Sequence, residues 1–211
     1  MLLGSGSPRR LEILAALGIP VRVAKAEVDE SVRAGEGAEP YLVRVVADKL
    51  AAVGRLPEVR GAGAVLVADT SVIVDGVPVG KPADEADARA MLRRLSGRSH
   101  EVWTRFAIGG SQLLDGAGEG GAVVAETVRT RVWFRELDED EIAGYASTGE
   151  GLDKAGAYAI QGIGAFAVQR IEGSYSNVVG LPACEVVVAL RRAGLLPAFP
   201  VRRPPSEGAA T

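Results

Sequence analysis

Asp69 stands directly after the apolar run AVLVA at 64–68. A carboxylate at the point where a buried strand leaves the core sits where α/β sheets collect ligands. From there it can take a proton from water. A lone aspartate at a strand end is also an ordinary turn cap, and position alone leaves both readings open. Asp29 and Glu30 form a second acidic point, at the end of the alternating stretch VRVAKAEVDES that starts at Val21. Magnesium is commonly held by one or two carboxylates together with substrate phosphates. The alternative for this pair is a solvated turn. Four cations stand in distinctive settings: Arg9 and Arg10 at a helix start, Lys49 on an apolar helical stripe, and Lys81 in the turn Gly80-Lys81-Pro82. A polyphosphate requires several such donors, because its charge is dense and must be desolvated to react.

The segment GSGSPRR at 4–10 reads as a tight turn leading into a helix, with Ser7 as cap and Pro8 in the first turn. Free backbone N–H groups at a helix start attract anions, and adjacent arginines add forked donors. The stretch is thus a phosphate cradle or a plain helix start with solvated arginines. GLDKAGAYAIQGIGA at 151–165 places glycines around Tyr158 and Gln161, where backbone can approach a ligand and a glutamine can pair with a base edge. A glycine-rich loop in a glycine-rich protein is the plainer reading. His100, the only histidine, opens a strand and has no nucleophile elbow beside it, which favours a structural role.

The 211 residues suit one large domain or two small ones, and 47% hydrophobic content is enough for a substantial core. A net charge of −3 gives no global field for nucleic acid, and no aromatic-basic stripe is visible, so anion binding has to be local. A single cysteine, Cys184, excludes an internal disulfide and points to the cytosol. No uncharged apolar run reaches the length of a membrane span. One histidine excludes histidine-rich zinc sites. Lysine is rare, with 20 arginines against Lys25, Lys49, Lys81 and Lys154, which marks the remaining lysines as places where a compact ammonium is wanted.

The elements that must position these groups follow from periodicity. Short helical patterns run over 8–17 and from Asp138. Longer ones start at Glu39, with Leu42, Val45, Val46, Leu50 and Val53 as the stripe, and after Asp84, with Ala88, Met91, Leu92 and Leu95. Strands are expected over Val21 to Asp29, over 64–68 ending at Asp69, in a hairpin turning at Asp75-Gly76, in HEVWTRFAIGG and GAVVAETVRTRVWFREL, and in GAFAVQRIEG. The segment 109–121 reads as a glycine-rich excursion, PACEVVVALRRAG as a closing helix, and 196–211 as a disordered tail after one domain over 1–195. The pattern is mixed α/β.

Taken in order, GSGSPRR, VDE at 28–30, ADK at 47–49, ADTSVIVDG at 68–76, GKP at 80–82, AMLRRLSGRSHEV at 90–102, DKAGAYAIQG at 153–162 and NVVGLP at 177–182 resemble the Maf family of nucleoside triphosphate pyrophosphatases. The resemblance implies an α/β fold shared with inosine triphosphate pyrophosphatase-like proteins, with an elongated mixed β-sheet, flanking helices and a cleft between two lobes. It implies hydrolysis of a nucleoside triphosphate to the monophosphate and pyrophosphate, aided by Mg²⁺ or Mn²⁺. By the same resemblance Asp69 is the catalytic base, and Glu30 with Asp69 holds the metal. Ser7, Arg9, Arg10, Lys49 and Lys81 meet the triphosphate. Arg9, Thr70 and Gln161 are similar to the branch acting on dTTP and UTP. Homodimers are common among such proteins, and no nucleic-acid or membrane partner is implied. A rival expectation is a nucleotide-binding regulator of septum formation without turnover. Two departures from the family pattern stand out: a short first strand with Gly4 in place of the usual alanine, and the long 109–121 segment.

Overall fold

The structure is a computed structural model that describes residues 1–110 and 124–200. The parts of the glycine-rich segment and of the tail at 111–123 and 201–211 lie outside the described residues. Among the described residues one seven-stranded mixed sheet organises the chain. Its strands are β1 (Leu2–Leu3), β2 (Arg22–Val23), β3 (Ala64–Val74), β4 (Val77–Val79), β5 (Ser99–Gly110), β6 (Val124–Phe134) and β7 (Val168–Glu172). They lie in the order β2-β1-β3-β5-β6-β7, and β4 pairs with β3. The β1 pairings are parallel and the others antiparallel.

Long helices cover both faces. Residues 65 and 67 of β3 pack beneath α2 (Ala38–Gly54), with Val46 and Val53. Residues 66 and 68 face the opposite way, as strand alternation requires. There they meet Leu14 of α1 (Pro8–Ala16) and Val186 and Leu190 of α6 (Ala183–Arg192). Further along the same face, Val72 and Val74 join Leu92 of α3 (Glu85–Leu95) and Ile142 of α4 (Glu139–Ser147). The two clusters on this face are separated by polar side chains. Thr70, Thr104 and Thr130 come from three adjacent strands, and Asn177 of α5 (Tyr175–Val179) lies over them. Thr104 and Asn177 are fully buried and Thr130 is nearly so. This polar row is the seam between the two lobes of the core.

Local chemistry explains the helix starts. Asp84 accepts from the Asp87 N–H, and Asp138 forms a full capping box with Glu141. Ser7 is the N-cap of α1 by position, but its hydroxyl caps nothing; instead its N–H donates to Ser5 Oγ at 3.2 Å.

Three expectations are corrected. The strand expected over Val21 to Asp29 shrinks to Arg22–Val23, because its one neighbour among the described residues, β1, is two residues long. The strand expected to end at Asp69 continues to Val74, because β5 pairs with it throughout, from Ala64 with Gly110 to Ile73 with Glu101. In GAFAVQRIEG only Val168–Glu172 is strand, and Ile163–Ala167 forms a 3₁₀ turn.

Candidate active site

The site lies at an interruption in one edge of β3. One edge is taken by β5. On the other, β1 pairs only as far as Leu66 and β4 pairs only from Val72. Between them, residues 67–71 have no strand partner among the described residues on that edge. The chain leaves β1 there, with Gly4 N donating to Leu66 O at 2.8 Å, and turns through Ser5, Gly6 and Ser7 into α1. The close approach demands glycine, since a Cβ on Gly4 would fall 2.7 Å from Val67 Cγ1 and 2.8 Å from Val53 Cγ2. A cavity of about 580 Å³ opens at the gap, a volume suited to a nucleotide-sized ligand. Ser7, Arg9, Arg10, Glu30, Lys49, Asp69, Thr70, Lys81 and Gln161 all line it; of the acidic pair Asp29-Glu30 only Glu30 does, and Asp29 instead accepts from the Ser31 N–H in its own turn.

Asp69 and Thr70 are neighbours in sequence but point to opposite faces. Asp69 faces α2 and is buried at 6% exposure. Lys49 projects from the apolar stripe of α2 and meets it, Nζ donating to Asp69 Oδ1 at 2.6 Å. The same ammonium lies 2.8 Å from Glu30 Oε1. Glu30 rides on an irregular segment held by Tyr41, whose hydroxyl donates to the Glu30 carbonyl at 3.1 Å. Burial opposes ionisation of Glu30. The hydrogen bond and charge of Lys49, aided by Lys81 and Arg10, outweigh burial and hold its carboxyl below the usual range. Burial and the nearby charges of Asp69 and Glu30 push the Tyr41 phenol up to about 12, so it stays a hydrogen-bond donor at neutral pH.

Thr70 belongs to the seam. Arg10, 8% exposed, donates from Nε to Gly180 O at 2.9 Å, from Nη1 to Ser5 Oγ at 2.9 Å and from Nη2 to Thr70 Oγ1 at 3.2 Å. Burial lowers the guanidinium pKa, and the charges of Asp69 and Glu30 partly offset that. Arg10 thus ties the first turn, the strand and the end of α5 together. Arg9 differs: its Nε is buried without a hydrogen-bond partner among the described residues. A buried, unpartnered guanidinium nitrogen on a cavity wall marks a place for an anion. Lys81 and Gln161 are exposed at the rim.

The 151–165 loop forms the far wall. Tyr158 is buried, and its hydroxyl lies 2.8 Å from His100 Nε2. Burial pushes the His100 pKa down to about 4, so the ring is neutral at physiological pH. His100 supports the wall from behind, the structural role its isolation indicated. Glu150 fixes the next turn by accepting from Tyr145 Oη and from the N–H groups of Ile163 and Gly164.

Sequence reasoning missed Ser5, Tyr41, Thr104, Asn177 and Glu150. Tyr41 carried a readable signal, since Tyr41, Val45 and Lys49 follow at four-residue steps along one helix face. Ser5 and Asn177 lie inside the segments GSGSPRR and NVVGLP without standing out from their neighbours, and Thr104 and Glu150 had no comparable signal.

For a divalent cation, the donor set fits one bound jointly with its substrate. No group of three or more His, Cys, Asp or Glu side chains among the described residues could cage a metal. Two carboxylate groups, those of Glu30 and Asp69, converge within 3 Å of one ammonium at a cavity edge. Magnesium held by one or two carboxylates takes its remaining ligands from water and phosphate.

The fold and site define an α/β protein whose sheet edge opens into a cavity lined by arginine and lysine side chains and flanked by a carboxylate pair. The chain belongs to the Maf-like protein family, whose model matches residues 1–193. It is 48% identical over 196 residues to the dTTP/UTP pyrophosphatase of Geotalea uraniireducens (strain Rf4), covering 93% of this chain and 96% of that protein. It is 49% identical over 198 residues to the dTTP/UTP pyrophosphatase of Myxococcus xanthus (strain DK1622), covering 92% and 93%. The Hahella chejuensis (strain KCTC 2396) protein of the same name is 48% identical over 195 residues, covering 92% of each chain.

Proposed function

We propose that this protein hydrolyses nucleoside triphosphates, with dTTP and UTP as preferred substrates, to the monophosphate and pyrophosphate. The observation that carries the reading is the Glu30–Lys49–Asp69 cluster at the edge of a nucleotide-sized cavity. The names of the relatives support it. Asp69 accepts the proton of the attacking water. Arg9, Lys81 and Lys49 meet the phosphate oxygens, with Ser7 and the N–H groups of the turn before α1. Thr70 and Gln161 bear on the choice of base. Glu30 and Asp69 would hold Mg²⁺ or Mn²⁺, which when bound supplies charge neutralisation at the phosphates. The reading places the enzyme in the cytosol, acting on the free nucleotide pool.

The test is pyrophosphate release from a panel of nucleoside triphosphates with Mg²⁺ or Mn²⁺, run beside Asp69→Asn. Release from dTTP and UTP that disappears in the variant is expected. Release confined to purine nucleotides overturns the substrate. Binding of nucleotides without release overturns the enzyme in favour of a regulator.

A further inference from the structure

Lys49 has an unusual setting for a phosphate ligand. It is 9% exposed, and its ammonium is already engaged by two carboxylates, at 2.6 Å from Asp69 and 2.8 Å from Glu30. Those are the two groups that would hold a divalent cation. A second cation reaching the same oxygens would stand within about 4 Å of the ammonium, where like charges out of bulk water repel strongly. A divalent cation taking those oxygens therefore competes with the ammonium for them.

We infer that Lys49 is a place-holding cation: it neutralises Glu30 and Asp69 in the free protein and is displaced when a divalent metal binds. The inference rests on the proposed metal-dependent reading of the site. Tyr41 strengthens it. By fixing the Glu30 backbone from α2, the helix that carries Lys49, it holds the Glu30 segment in place when the ammonium moves, while Asp69 is held by β3. A displaced ammonium costs free energy unless it finds another anion. The cavity beside it is walled by Arg9 and Lys81, and its one other lining carboxylate, Asp153, is already paired with Lys154, so the strongest new partner is an entering polyphosphate. Metal and polyphosphate are thereby coupled. Each strengthens the binding of the other, because the polyphosphate gives Lys49 the partner that the metal took away, and such coupling is reciprocal.

The test reads binding of Mn²⁺ alone, from the electron paramagnetic resonance signal of the free ion, without nucleotide and without turnover. Lys49→Met keeps an unbranched stem without the ammonium and continues an apolar stripe. It is expected to bind Mn²⁺ about tenfold more tightly than the natural protein, because the competing charge is gone. Equal or weaker binding, or saturable binding in neither protein, overturns the inference. A second arm uses the natural protein, so misfolding of the variant does not decide the matter. With only four lysines, the ¹⁵N-labelled Lys49 ammonium is separable by NMR. Its signal is expected to shift or broaden on Mg²⁺ titration, and an unchanged signal at saturating Mg²⁺ overturns the inference. Neither arm depends on pyrophosphate release, so failure of the proposed activity and failure of cation exchange are separately visible.

Discussion

Thr70 and Thr104, paired across β3 and β5, bring their hydroxyl oxygens to 2.9 Å in the seam between the two apolar clusters. The protons of this seam can be accounted for. Thr104 donates to Asn177 O at 3.1 Å, which leaves Thr70 to donate to Thr104 while accepting from Arg10. Gly180 O, also 3.2 Å from Thr70, is then served by Arg10 Nε. In this assignment both threonine protons have an acceptor, and the Thr70 proton is committed away from the cavity. Thr104→Val keeps the shape but removes the acceptor of the Thr70 proton and leaves the Asn177 carbonyl with the Gly180 N–H alone. It is expected to cost about 1–2 kcal/mol, read by urea unfolding, with Thr104→Ser closer to the natural protein.

Arg9 and Arg10 are adjacent but should fail differently. Arg10→Lys loses the fork that joins Ser5, Thr70 and Gly180 and should destabilise the fold by about 2–4 kcal/mol, as expected for breaking a buried charged network. Arg9→Ala leaves that network intact. Its melting temperature should stay within a few degrees of the natural protein, while inhibition by pyrophosphate weakens about tenfold. Equal effects of the two changes on pyrophosphate affinity would contradict this division.

The buried imidazole predicts a pH dependence of stability. His100 titrates near 4 in the folded protein, below its ordinary value of 6.5. Above about pH 6.5 neither state carries the proton and the group contributes nothing. As pH falls from about 6.5 toward 4 the unfolded chain takes up the proton first, so stability is lost over that window, by up to about 3 kcal/mol. His100→Asn should flatten the slope between pH 6.5 and 5 in denaturant titrations.

Glu150 staples the turn beside Gln161 through one tyrosine hydroxyl and two backbone N–H groups. These bonds and the nearby charge of Lys154 outweigh burial and keep its carboxyl below the usual range. Glu150→Ala should cost about 2–3 kcal/mol, since three partners lose a charged acceptor. It should also raise KM for the nucleotide more than it lowers kcat, because the loop is loosened and Asp69 is untouched.

Gly4 stands where the resembled family has alanine, and the structure gives the local reason in the two valines it touches. Gly4→Ala should destabilise by about 1–3 kcal/mol through overpacking. Pairing it with Val67→Ala, which removes the nearer clash, should recover part of the loss.

The groups with the strongest local signal, Asp69, Glu30, Lys49, Lys81 and the GSGSPRR turn, could be read from the sequence because each breaks a local pattern. A carboxylate follows an apolar run, a lysine interrupts an apolar stripe, and paired arginines follow a glycine turn. The same logic misplaced the end of β3. The polar run Asp69-Thr70-Ser71 resembles a strand terminus, but here it faces a gap in the sheet edge and the cavity within it. Periodicity records burial, and it cannot distinguish the end of a strand from a strand crossing a binding site. The separation of Arg9 from Arg10, the position of Asp69 and Thr70 on opposite faces of the sheet, and the threonine seam were decided only by tertiary structure. They depend on partners 34 to 170 residues away along the chain, such as Thr104 for Thr70 and Gly180 for Arg10, and chain folding alone brings those partners within hydrogen-bond range.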